Sequence, residues 1–332
     1  MNKKSKVFIN SIKWIRRRLE QTIISRFLKF FLLILVLSSW IILLKSNFSG
    51  ISQYLLNVQF RIPYILASWI TIMSVYLFVG TTSWWYILLG FGEPITWINA
   101  SKVQLASNLG KYIPGYFWQY FARAWMLKKN SISLKISGFA IVYELFITLW
   151  IGICLALIFV KREYLPGFFP YITVQPFSII LGAILLVIPM LVMFITPVFF
   201  VRFGLEEKKL RYFVFSYGLI TLGWFLMSFA LWLQGAAFEN ISMNAYGMYI
   251  FTNSSAFVLG ILVVIVPNGL GVREGVIALI LGGFRSMPFG IIIATLSRLL
   301  ISASEIITGV LVNVIYDSFA NNYFFKKIFN KE

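Results

Sequence analysis

The amino-acid sequence predicts an all-α polytopic membrane protein. We expect about seven to eight transmembrane helices, plus broken or re-entrant helices in two pseudo-repeat halves. Hydrophobic residues make up 60% of the 332 residues and charged residues 12%, and the mean hydropathy is +0.85. A soluble chain averages about 45–50% apolar and about 25% charged residues. Apolar runs of about 20 residues, the length that crosses a bilayer as a helix, recur along the chain.

The first residues predict a basic, cytoplasmic N-terminal segment, 1–26. Eight lysines and arginines stand there against a single acid, Glu20, before the first apolar run. No small-residue cleavage site follows Leu44, so we expect an uncleaved span with its N-terminus in the cytoplasm. Apolar residues at helical spacing in 12–23 are also typical of a helix lying on an anionic leaflet. A plain topogenic charge cluster fits the same pattern equally well.

A single transmembrane domain is expected over 27–316, in halves 27–201 and 212–316, followed by a cytoplasmic tail, 317–332. Seven apolar runs are long enough, or nearly long enough, to cross a bilayer. They are 27–44, 62–88, 136–160, 177–201, 212–234, 246–266 and 289–316.

Basic residues set the expected orientation of these spans. The stretch 202–211 and the tail are rich in lysine and arginine and are expected in the cytoplasm, whereas loops 45–61, 161–176 and 235–245 are expected outside. Seven spans from a cytoplasmic N-terminus would leave the tail outside. An eighth crossing by 272–285 removes that conflict, although this segment is short for a span.

Two stretches are too polar and too rich in glycine and proline for simple spans. Residues 94–127 favour two short helices that meet at a break around Pro114 and Gly115, and a second break follows at Pro267 and Gly269. The breaks lie 153 positions apart (114 to 267), about half of the hydrophobic region. Interrupted segments in corresponding halves indicate the substrate site of a transporter. The alternative is that the glycines only allow close helix packing.

Four cations near these breaks are the candidate substrate-binding residues, and we expect them to converge on one water-accessible cavity: Lys111, Arg123, Arg273 and Arg298. Charged groups at membrane depth mark either substrate contacts or ion pairs between helices, and both interpretations stay open. Arg298 and Glu305 share one helical face two turns apart, so we expect their partners on other helices. Structural or coupling roles are expected for Pro114, Gly115, Glu144, Pro267, Gly269, Gly271, Glu274 and Glu305.

Arg273 and Glu274 carry the most specific expectations. The glycines before them free a turn, so that a helix begins near Val272 and Arg273 meets an anion beside free helix N–H groups. Glu274 either holds that turn or pairs with a cation such as Lys111.

Composition argues against several other chemistries. The chain has no histidine, and its one cysteine, Cys154, lies in an apolar run, so we expect no disulfide, metal site or imidazole catalysis. No cofactor is expected either. The net charge of +18 arises at the N-terminus and in short loops, so it does not indicate nucleic acid. One aspartate and scattered glutamates argue against an enzyme. Trp84, Trp85 and Tyr86 are interpreted as an interfacial aromatic belt.

Two motifs carry a resemblance to a known family. "NLGKYIPGYFWQYFARAWMLKK" (108–129) and "PNGLGVREGV" (267–276) resemble motifs of the lysylphosphatidylglycerol synthase/flippase transmembrane family, and the resemblance covers about 60–316. Asn268 stands where the family usually has glycine. Leu145 follows Glu144 where the family often has arginine, so an ion pair within that helix is absent. We expect no soluble aminoacyl-transferase domain like the family's after the last span, and therefore no lipid lysylation.

The resemblance implies a lipid or lipid-linked-precursor translocase of the cytoplasmic membrane that binds an anionic headgroup in a cationic intramembrane cavity. The expected partners are membrane lipids, either phospholipids or isoprenoid-linked glycans, together with proteins of envelope biosynthesis. Two alternatives stay open. One is a non-transporting membrane partner of an envelope glycolipid or glycan assembly system, and the other is a membrane-embedded glycosyl- or phosphotransferase.

Overall fold

The structure, a computed structural model, describes residues 38, 41–42, 45–112, 118–164, 177–195, 210–263 and 269–321. Parts of the predicted organisation lie outside the described residues: the N-terminal segment 1–26, most of the span 27–44, most of the loop 202–211, most of the tail 317–332, and Pro114, Gly115 and Pro267.

The described ranges contain ten α-helices of at least ten residues and no β-strand, which confirms the all-α class. They are α1 (Phe48–Asn57), α2 (Ile62–Gly90), α3 (Trp97–Asn108), α4 (Trp118–Lys129), α5 (Leu134–Phe159), α6 (Phe177–Ile195), α7 (Leu210–Phe238), α8 (Tyr246–Leu262), α9 (Val272–Phe284) and α10 (Met287–Asn321).

Five helices are long and apolar enough to cross a bilayer: Ile62–Gly90, Leu134–Phe159, Leu210–Phe238, Met243–Leu262 and Met287–Asn313. They match five of the predicted spans to within a few residues, and the protein is an integral membrane protein. The helix α6 is apolar over the shorter stretch Phe177–Ile188. The expected total of seven to eight spans is not confirmed within the described residues.

Several helix ends meet at one end of the bundle, which we call the Glu239 end. The hydroxyl of Tyr54 donates to Glu239 Oε1 at 2.8 Å, and Arg285 Nε lies 3.3 Å from Glu239 Oε2. Arg61 N–H donates to the carbonyl of Ala237 at 2.7 Å. Burial, and then the hydrogen bond to Glu239, raises the pKa of Tyr54, so its hydroxyl stays protonated and donates. The start of α2, the end of α7 and the link between α9 and α10 are thus neighbours.

The opposite end, which we call the Phe213 end, holds the end of α2 and the starts of α5 and α7. The Phe91 and Phe213 rings lie 5.2 Å apart between their centres. Trp84, Leu127 and Ile132 belong to one buried cluster nearby. Trp84 is fully buried in that cluster, so its prediction as part of an interfacial belt is wrong.

Two helix hairpins enter the bundle from these opposite ends. The outer ends of α3 and α4 lie at the Phe213 end, where Trp97 Nε1 donates to Thr82 Oγ1 at 3.0 Å and Leu127 joins the buried cluster. These are the two short helices expected within 94–127. Their connection begins with the 3₁₀ turn Leu109–Tyr112. The outer ends of α8 and α9 lie instead at the Glu239 end.

The helix α9 is the returning arm of the second hairpin. Its 13 residues extend about 20 Å at 1.5 Å per residue, which is less than the roughly 30 Å of a hydrocarbon core. The eighth full crossing expected at 272–285 is therefore not observed. The arm still returns the chain to the Glu239 end, so that α10 runs from there towards the Phe213 end.

Local sequence explains several helix starts. Thr96 caps α3 by accepting a hydrogen bond from Asn99 N–H (3.3 Å), and Ser133 caps α5 by accepting from Ile136 N–H (3.2 Å). Within α2, the segment Val75–Gly80 is π-helical. Such wide turns change the direction in which side chains point and often occur at functional sites.

Candidate functional site

Two adjoining cavities lie inside the bundle; α2, α5, α10 and the second hairpin line both, α7 lines only the first, and the first hairpin lines only the second. The first, about 250 Å³, is lined mainly by apolar side chains, and we call it the apolar cavity. The second, about 210 Å³, is lined mostly by polar residues, six of which belong to α3, α4 and their connection, and we call it the polar cavity. Tyr76, Glu144, Thr148, Phe257 and Arg273 line both, so the cavities are direct neighbours.

Glu305 of α10 is the centre of a buried cluster beside the connection of the first hairpin. Its carboxylate pairs with Lys111 and accepts hydrogen bonds from the hydroxyls of Tyr76 and Tyr112, the latter at 2.6 Å. The Glu305 side chain is only 2% exposed, and these three donors replace the water that a buried charge loses. The cluster joins the first hairpin to α10 and to the π-helical segment of α2. The expected partner of Glu305 on another element is therefore found.

Arg123 of α4 is fully engaged by its neighbours. It forms an ion pair with Glu144 of α5, and it donates to Ser107 Oγ and to Asn108 Oδ1, each at 3.1 Å. Its guanidinium carbon lies 4.6 Å from the centre of the Trp84 ring, a distance that allows cation–π attraction. Glu144 has no arginine in its own helix, and the partner comes from the first hairpin instead.

Two glycines build the turn before α9, as expected. The backbone φ is +62° at Gly269 and +80° at Gly271, a region that residues with a Cβ rarely adopt. Gly271 N–H donates to Glu274 Oε2 at 2.6 Å, so Glu274 caps the helix, which begins at Val272. Glu274 Oε1 also lies 3.3 Å from Arg298 Nε of α10. The partner of Glu274 is thus Arg298 and not Lys111.

Arg273 differs from the other three cations. Among the described residues no carboxylate lies within salt-bridge distance of it, and its buried Nε has no hydrogen-bond partner. Its guanidinium carbon lies 4.3 Å from the centre of the Phe257 ring, which attracts the charge but does not neutralise it. Gly260 leaves the space that this side chain occupies, since a Cβ there would lie 2.5 Å from Arg273 Cγ.

The ionisable groups around the two cavities do not balance. Four cations and three carboxylates of the described ranges line them, which gives these groups a net charge of +1 (4 minus 3) when all seven are ionised. They are Lys111, Arg123, Arg273, Arg298, Glu144, Glu274 and Glu305. Each carboxylate pairs with one cation, and Arg273 remains. The structure thus brings all four predicted cations to two neighbouring cavities instead of one.

Sequence reasoning did not identify Tyr76, Gln104 or Tyr112. Tyr76 lies within an apolar span, and nothing in the span's pattern predicts the π-helical turn that directs it towards Glu305. Gln104 donates to Glu144 Oε1 at 3.2 Å. A glutamine within the semi-polar stretch 94–127 was a signal that could have identified it from the sequence.

No protein-family model, no curated protein and no solved structure matches this chain. Within the ranges that the structure describes, no three histidine, cysteine, aspartate or glutamate side chains are grouped to hold a metal ion. Fold and site together define an integral α-helical membrane protein in which two hairpins from opposite ends meet at cavities with one excess cation.

Proposed function

We propose that this protein is a flippase-like translocase of the cytoplasmic membrane for a lipid or lipid-linked precursor, and that the anionic headgroup binds at Arg273. The proposal adopts the expectation drawn from the two family-like motifs in 108–129 and 267–276. Its expected partners are membrane lipids, either phospholipids or isoprenoid-linked glycans.

The observation that carries the proposal is the unpaired guanidinium of Arg273. An arginine at the centre of a membrane helix costs roughly 2.5–3.5 kcal/mol on insertion scales. The protein offsets this cost for the other three cations with carboxylates, but the part of the chain that the structure describes supplies none for Arg273. A phosphate monoanion would supply the missing charge, and a guanidinium binds phosphate through two parallel hydrogen bonds. Arg273 also lies in the first turn of α9, where the helix dipole favours an anion.

The pairing of an apolar with a polar cavity also supports the proposal. A lipid has an apolar chain next to a polar headgroup, and Arg273 lies between the two cavities at the position where a lipid phosphate joins these parts. The two hairpins enter from opposite ends, which is the arrangement expected if two halves of inverted topology alternate access to one central site. The pseudo-repeat itself stays a prediction.

The proposal assigns the Phe213 end to the cytoplasm and the Glu239 end to the outside. Lys128, Lys129 and Lys135 are near the Phe213 end, and basic residues favour the cytoplasmic side. Cysteines introduced at 129, at 163 and in the tail, in a Cys154→Ala background, test this orientation. We expect labelling from inside at 129 and in the tail, and from outside at 163. Labelling of the tail from outside contradicts the assignment.

Transport in liposomes tests the role of Arg273. The purified protein is reconstituted with fluorescent phospholipids, and their transfer between leaflets is measured. We expect transfer by the wild type, and loss of most of it in Arg273→Lys, because an ammonium does not replace the planar fork of a guanidinium. The matched control is Arg285→Lys, which changes a partly exposed arginine paired with Glu239 at the bundle end. Full activity of Arg273→Lys would refute the headgroup role.

A further inference from the structure

Resting on the proposed function, we propose that the polar cavity selects a neutral polyol headgroup carried on a single phosphodiester, and that it rejects cationic headgroups. The polar cavity is lined by three cations and two carboxylates: Lys111, Arg123, Arg273, Glu144 and Glu305. Its net charge is +1 (3 minus 2) when all are ionised. One phosphodiester neutralises this charge, whereas a headgroup that also carries an ammonium restores the excess of +1.

An unpaired acceptor on Gln104, a residue that lines the polar cavity, favours hydroxyl groups. The Oε1 atom of Gln104 is buried without a hydrogen-bond partner, in a residue that is 8% exposed. The amide orientation follows from its other atom, because Nε2 donates to Glu144 Oε1 at 3.2 Å and a carboxylate only accepts. A buried acceptor without a donor is costly. A ligand hydroxyl supplies that donor, and a quaternary ammonium has no N–H or O–H to offer.

Further amides line the same cavity. Gln119 of α4 faces it with a side chain that has no hydrogen bond within the described ranges, and Asn108 Oδ1 accepts from Arg123. Amide side chains donate and accept at once, as hydroxyl groups do, so they bind a polyol without adding charge. The cavity volume of about 210 Å³ corresponds to roughly seven water molecules at about 30 Å³ each. That space accommodates one inositol-like or hexose-like ring.

Lipids that share their acyl chains and their phosphodiester test this selectivity directly. Binding of phosphatidylinositol, phosphatidylethanolamine and phosphatidylcholine to the purified full-length protein is measured in one detergent. We expect phosphatidylinositol to bind at least about tenfold more tightly than either cationic headgroup, because like charges in a buried site repel strongly. A prenyl phosphodiester of a hexose forms a fourth arm. Tighter binding of that compound than of phosphatidylinositol assigns the anchor to the prenyl class, and the reverse assigns it to the diacylglycerol class.

Two variants connect the preference to the amides. Gln104→Met and Gln119→Met keep side-chain length but remove the amide groups. We expect each to lower the affinity for phosphatidylinositol severalfold and to leave that for phosphatidylcholine unchanged, which reduces the ratio between the two. Gln104→Met also removes a contact to Glu144, and Gln119→Met, which removes no such contact, controls for damage to the fold.

The binding result is separable from the transport result. Preferential binding of phosphatidylinositol without any transfer in liposomes supports the headgroup inference and refutes translocation. Equal or tighter binding of phosphatidylcholine or phosphatidylethanolamine overturns the inference, whether or not lipids are transferred. An unchanged binding ratio in both glutamine variants overturns it as well.

Discussion

Both hairpins line the polar cavity, but their cations differ in whether a carboxylate pairs with them. The first hairpin contributes Lys111 and Arg123, and each pairs with a carboxylate from a neighbouring helix. The second contributes Arg273, which has no such partner among the described residues, while the neighbouring Glu274 caps its own helix and contacts Arg298. Similar chemical groups near similar backbone breaks therefore have different roles. The cations of the first hairpin pair with neighbouring helices, and the proposed function assigns the cation of the second to a ligand.

This contrast makes a prediction about stability. Removal of one member of a buried ion pair leaves the other charge unpaired. Removal of a charge that has no partner creates no new unpaired charge. Groups retained for ligands are often suboptimal for the fold itself. Substitutions in the first hairpin should therefore cost more stability than the equivalent substitution of Arg273.

The largest effect is expected for Arg123→Met. It leaves Glu144, whose side chain is 20% exposed, without its cation and should lower the free energy of unfolding by up to about 3–5 kcal/mol. The double variant with Glu144→Met should regain much of this loss, because no unpaired charge then remains. Thermal unfolding in one detergent measures both. Lys161→Met, in an exposed ion pair, is the control and should change stability by less than about 0.5 kcal/mol. A double variant as unstable as the single one would contradict this interpretation.

A smaller loss is expected for Gly269→Ala. Its φ of +62° strains any residue with a Cβ, and that Cβ would lie 2.9 Å from the Gly260 backbone. We expect a loss of about 1–3 kcal/mol and a displaced Arg273. Gly275→Ala is the matched control, because nothing lies within 4 Å of a Cβ at that helical position. The control should stabilise the protein by up to about 1 kcal/mol. Equal effects at both positions would show that the turn carries no special strain.

The smallest loss is expected for Glu274→Gln. The amide oxygen can still accept from Gly271 N–H, so only the charged part of the cap and the attraction to Arg298 are lost. We expect a decrease of about 1–2 kcal/mol in unfolding free energy, with transport less affected than by Arg273→Lys. The control Glu163→Gln changes an exposed carboxylate and should be neutral. A Glu274→Gln variant that keeps its stability but loses transport would place Glu274 in the binding site.

The features that the sequence predicted correctly are those that depend on residues close together in the chain. Proline and glycine disturb helices wherever they occur, so the breaks, the turn at Gly269 and the start of α9 at Val272 were predictable. Charged residues in apolar stretches are similarly easy to recognise, so the sequence identified the four cations that line the cavities. Which carboxylate meets which cation depends on how helices distant in the chain pack together. For that reason neither the pairing of Lys111 with Glu305 nor the isolation of Arg273 was predictable. Trp84 was misassigned because an aromatic residue near the end of a span can lie at the membrane interface or be buried against an arginine, as Trp84 is against Arg123.

Arg273→Met and Arg123→Met, measured side by side, show whether Arg273 is a ligand-binding residue or a structural one. Methionine keeps the apolar length of arginine and removes only the charge and the hydrogen bonds. The midpoints of thermal unfolding of both variants are measured beside lipid transfer in liposomes. We predict that Arg273→Met unfolds at or above the wild-type temperature and has lost transfer, while Arg123→Met unfolds well below it. Destabilisation of Arg273→Met to the same extent as Arg123→Met would contradict the account, because Arg273 would then be a structural residue like the others.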